Sequence, residues 1–108
     1  MRAACAAVRA YVTRAAAQLG LGAFHGSEIP FVFGNSANPT LQERALSDVI
    51  MTYWTNFAQS GDPNDGRLPT WPAYTLSEDL HLQFDVPIKA DRELRKPYCD
   101  FWDRLQAP

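Results

Sequence analysis

Leu46, Val49, Ile50, Tyr53, Trp54, Phe57 and Ala58 recur in alternating steps of three and one. That spacing holds them on one face of an α-helix. Asn38-Pro39 offers the helix a start, a capping side chain followed by proline at the first helical position, and Gly61 offers a stop. The face is broad and aromatic. Helical periodicity accounts for Tyr53, Trp54 and Phe57 as packing residues, with no need for a ligand platform. Such a face must lie against other structure, and the rest of the chain has to supply it.

It supplies little. Leu80, Leu82, Phe84 and Val86 alternate strictly, the pattern of one half-buried strand, which puts His81 on the polar, solvent-facing phase. A single strand leaves its backbone groups without partners, so the chain reads as a piece of something larger. Residues 1 to about 19 are rich in Ala and favour a helix stopped at Gly20. Gly20, Gly22 and Gly26 then make a permissive loop around Phe24 and His25. Pro30 keeps a regular helix from running through, and Phe31 to Gly34 reads as a buried turn or a strand fragment. Gly61 to Gly66 is rich in turn residues. Leu94, Tyr98, Trp102 and Leu105 restore helical spacing, with Pro97 at the first position of a last helix.

With 108 residues there is room for one small domain and not for two. A hydrophobic content of 46%, with 3 Trp, 4 Tyr and 6 Phe, argues against disorder. A net charge of -2 and the lack of any basic cluster argue against nucleic acid or an anionic membrane as partner. No apolar run approaches the ~18 residues of a membrane span. The opening "MRAACAAVRAYVTRAAAQLG" is no signal peptide as it stands, because Arg9 and Arg14 interrupt its apolar core, and the compartment is left open.

Self-contained chemistry is hard to build from these residues. His25 and Glu28 stand three apart, but Gly26 and Pro30 disfavour a helix that would present both to a metal. "DPNDG" is one residue short of a calcium-loop pattern and lacks its distal acid, since position 73 is Ala. No metal site is expected. There is no G-x-S-x-G nucleophile elbow, and Ser27 lies too near His25 in sequence for the ring to fold onto its hydroxyl. His25 on its own reads first as an ordinary loop histidine bonded to a backbone group, ahead of a catalytic one.

"GAFHGSEIPFVFGN", however, closely resembles the catalytic-histidine loop of type-B carboxylesterases, the family of the cholinesterases and the bacterial para-nitrobenzyl esterases. The likeness continues in order. "MTYWTNFAQSGDPN" is similar to the family's long C-terminal helix and following loop, "LPTWPAY" to its W-P-x-Y turn, "HLQFD" to its late short strand, and "PYCDFWDRL" to its closing C-x-F-W helix. Together these collinear motifs cover Leu21 to Leu105.

The resemblance implies an α/β class, with residues 1–108 as the C-terminal portion of an α/β-hydrolase domain: mostly helical, with one late strand and a histidine loop. It implies a carboxylic ester hydrolase using a serine, a histidine and a glutamate or aspartate. His25 would be its general base and then general acid, and Glu28 a supporting residue behind it. The histidine comes last of the triad in this fold, so the serine and the acid would precede this sequence. The substrate would be a small carboxylic ester, no cofactor is implied, and the remainder of the domain would be needed for folding. Esterase-like folds also serve as adhesion domains, which makes a non-catalytic interaction protein the alternative. Cys99 matches the C-x-F-W cysteine and Cys5 sits where a helix cysteine could pair with it; a disulfide and two buried thiols both remain open. Residues 1–20 depart from the family's pattern. They fit either the upstream cysteine helix running straight into the loop or a degenerate strand, and suggest a truncated start.

Overall fold

A computed structural model describes residues 11–106. The elements run α1 (Arg14–Gln18), α2 (Ile29–Val32), α3 (Leu41–Ser60), β1 (Leu80–Gln83), β2 (Lys89–Arg92) and α4 (Lys96–Gln106). Among the described residues the expected N-terminal helix covers Arg14–Gln18, and residues 1–10 lie outside the described part. It begins at Arg14 because the Thr13 hydroxyl accepts from the Ala16 N–H at 3.1 Å.

The long helix forms as its periodicity predicts, but its cap differs. Thr40, not Asn38, is the N-cap: its hydroxyl accepts from Glu43 N–H at 3.1 Å while the Glu43 carboxylate accepts from Thr40 N–H at 2.8 Å. This reciprocal capping box satisfies two backbone donors at once. Asn38 instead sits in the left-handed region at φ 50°, off the helix start. The other end closes as expected, with Gly61 N–H on the Phe57 carbonyl at 2.8 Å.

Phe31 to Gly34 is not a strand fragment. Pro30 falls in the first turn of α2, where its missing N–H costs nothing, and the segment coils into a helical turn. Phe31 is buried while Phe33 stays exposed. The Ser47 hydroxyl donates to the Phe31 carbonyl at 2.7 Å and so ties α2 to α3. The turn leaves at Gly34, where a φ of 63° would strain any side chain and a Cβ would lie 2.9 Å from the Met51 sulfur, so that Met51 would have to shift.

The lone strand has a partner after all. β2 pairs antiparallel with β1, Leu80 opposite Arg92, His81 opposite Asp91, Leu82 opposite Ala90 and Gln83 opposite Lys89. The sequence of β2, Lys-Ala-Asp-Arg, has no apolar alternation because the strand is exposed along its length, so nothing in its pattern announces it. The solvent-facing placement of His81 is also overturned. His81 and Leu82 are both buried, so β1 is covered on both faces at this point, and the His81 Nδ1 is buried without a partner among the described residues.

The core gathers Phe31, Leu46, Ile50, Tyr53, Leu82 and Phe84. Tyr53 is its centre, fully buried, with its hydroxyl donating to the Pro69 carbonyl. Trp71 meets Tyr53 edge-on at 5.4 Å and Phe84 at 5.3 Å, which pins the W-P-x-Y turn over the helix and strand. Only part of the aromatic stripe is core, however: Trp54 is 40% exposed and Phe57 60%.

Pro97 is the second residue of α4, not the first, with Lys96 opening the helix and pairing with Asp100 at 3.1 Å. Its apolar residues Tyr98, Phe101, Trp102 and Leu105 are all exposed. Among the described residues α4 packs on no other helix or strand.

Candidate active site

His25 begins the turn of residues 25–28 that leads into α2. The turn is held by backbone bonds, Ser27 N–H to the Phe24 carbonyl and Ile29 N–H to the Gly26 carbonyl, each 3.1 Å. Gly26 follows the histidine at φ 83°, a conformation that L side chains rarely adopt and that lets the chain reverse directly behind the ring. The backbone of the loop is thus tied down while the imidazole stands out from it. The ring is exposed and, among the described residues, carries no hydrogen bond.

Glu28 is the N-cap of α2, yet its side chain makes no capping bond. Its carbonyl accepts from Phe31 N–H at 2.9 Å and from Val32 N–H at 3.0 Å, so its backbone is fixed and its exposed carboxylate is not. The structure brings His25 and Glu28 to one cleft of about 920 Å³. Ser27 lines the same cleft, with its hydroxyl buried and, among the described residues, unpartnered. It does not serve His25 as a nucleophile here, in keeping with the short separation between them.

Apolar side chains line the cleft as well, Ile50 and Trp54 of α3 and Phe84 just past β1. Leu94 and Arg95, between β2 and α4, complete it. Arg95 went unrecognised in the sequence. It has no motif of its own and stands in the cleft lining with a left-handed backbone, φ 52°. Trp54 and Phe84 were legible as apolar positions but not as cleft residues.

The remaining candidates separate cleanly. The acids of "DPNDG" are occupied by their own loop: Asp62 accepts from the Asn64 backbone and side chain, both at 2.9 Å, and Asp65 pairs with Arg67 at 2.7 Å. Backbone and side-chain hydrogen bonds from Arg67 hold the Asp65 carboxyl below its ordinary range. Among the described residues no group of three or more His, Cys, Asp or Glu is arranged to hold a metal. No described helix is long and apolar enough to cross a membrane. The Cys99 sulfur lies 3.9 Å from the Leu94 carbonyl oxygen, and Cys5 lies outside the described residues.

Comparison with known proteins gives this cleft its context. Carboxylesterase 4A of Bos taurus is 44% identical over 87 residues, which are 78% of this chain and 16% of that protein. The medium-chain fatty acyl-CoA hydrolase precursor of Anas platyrhynchos is 42% identical over 75% of this chain and 15% of its own length. Acetylcholinesterase of Bungarus fasciatus is 41% identical over 79% of this chain and 15% of its own length. The chain therefore spans about one-sixth of the length of the curated relatives it matches. The model of the carboxylesterase family matches residues 8–102, the histidine loop, α3, the hairpin and most of α4 included, and the chain belongs to that family.

Proposed function

We propose that this chain is the C-terminal part of an α/β-hydrolase domain that hydrolyses small carboxylic esters, with His25 as the histidine of a Ser-His-Glu/Asp triad. The observation that carries the proposal is the loop itself: a backbone-tied turn presents an uncommitted imidazole to a large cleft lined by both polar and apolar residues, in a chain of the carboxylesterase family. The serine and the acid are not among these 108 residues, which hold no nucleophile elbow, and they would come from sequence that the longer relatives carry.

In the assembled site His25 removes the serine hydroxyl proton as the oxygen attacks the ester carbonyl. It then gives that proton to the departing alcohol oxygen, leaving an acyl-enzyme. Water repeats the cycle: His25 takes a proton from it, the hydroxide attacks the acyl carbonyl, and the proton returns to the serine oxygen as the acid leaves. A histidine suits this two-way traffic because its ordinary pKa lies near neutral pH. Glu28, three residues on and lining the same cleft, is the supporting acid of this reading. The exposed apolar side of α4 supports the same reading, since the rest of such a domain would cover it.

A chimera tests this. Residues 21–106 replace the matching segment of the Anas platyrhynchos relative, and hydrolysis of a short-chain nitrophenyl ester is followed. The chimera is expected to be active, and His25→Ala to lower turnover by on the order of 10³ or more with the unfolding midpoint unchanged. Near-normal turnover in the variant would refute the assignment.

A further inference from the structure

We draw no further inference here: the strongest candidate, the aromatic groove between the C-terminal end of α3 and the 62–73 loop where Trp54 and Phe57 stand beside Trp71, is an unpartnered apolar face, and nothing in the structure shows what covers it.

Discussion

Tyr53 is fully buried in the core, and its ring and its hydroxyl do different things. The ring is fully buried and meets Trp71 at 5.4 Å and Phe84 at 5.8 Å, while the hydroxyl donates to the carbonyl of Pro69. Tyr53→Phe keeps the ring and removes one hydrogen bond. Pro69 is itself exposed, so its freed carbonyl can turn to water, and the cost should stay near the net value of one bond, about 1 kcal/mol. Tyr53→Ala removes the ring, leaves a cavity among Ile50, Leu82 and Phe84, and loses the edge contact with Trp71 and the tilted contact with Phe84, for about 3–5 kcal/mol. Urea unfolding of the chimera at a common slope measures both differences.

A pH series adds a second arm. Burial first, then the negative charge of Asp65, raises the Tyr53 phenol above its ordinary value of 10.0. The folded state therefore holds this proton more tightly than the unfolded state. The stabilisation is fully present below about pH 10 and is lost as pH rises from there through the raised folded pKa. Tyr53→Phe should abolish that part of the alkaline slope. Equal losses for the Phe and Ala variants, or an alkaline slope unchanged in Tyr53→Phe, would refute this division of labour.

Three further outcomes are expected. Thr40→Ala removes the hydroxyl that caps α3 and should cost about 1 kcal/mol in the same urea assay, whereas Thr40→Ser should restore most of it. If the protein matures in an oxidising compartment, non-reducing peptide mapping should recover Cys5 and Cys99 in one linked peptide, and reduction should lower stability by roughly 4 kcal/mol; alkylation of both thiols without reductant would exclude the bridge. The 108 residues expressed alone should hydrolyse a nitrophenyl ester no faster than free imidazole and should self-associate through exposed α4; a cooperative, active monomer would overturn the proposed division of the triad.

What could be read without the structure was what rests on local chemistry. The course of α3, its stop at Gly61 and the identity of β1 follow from spacing of three and four, from a left-handed residue and from alternation, all of which act within a few residues. The histidine loop was legible as a motif for the same reason: its residues are contiguous. The cap at Thr40 was also written there, as Thr-x-x-Glu, and the more conspicuous Asn-Pro pair drew the start two residues too early. Tertiary structure decided the rest. β2 is a strand only because β1 offers it unpaired backbone groups, since Lys-Ala-Asp-Arg has no strand pattern of its own. His81 is buried because cover comes to both faces of β1, which overrides its polar phase. Tyr53 is core while Trp54, next to it on the same stripe, borders a cleft, because burial depends on what packs across from each residue. Arg95 shares a cleft with His25 for that reason too: the two are remote in sequence, and the path of the hairpin and the turn before α4 brings them to one cleft.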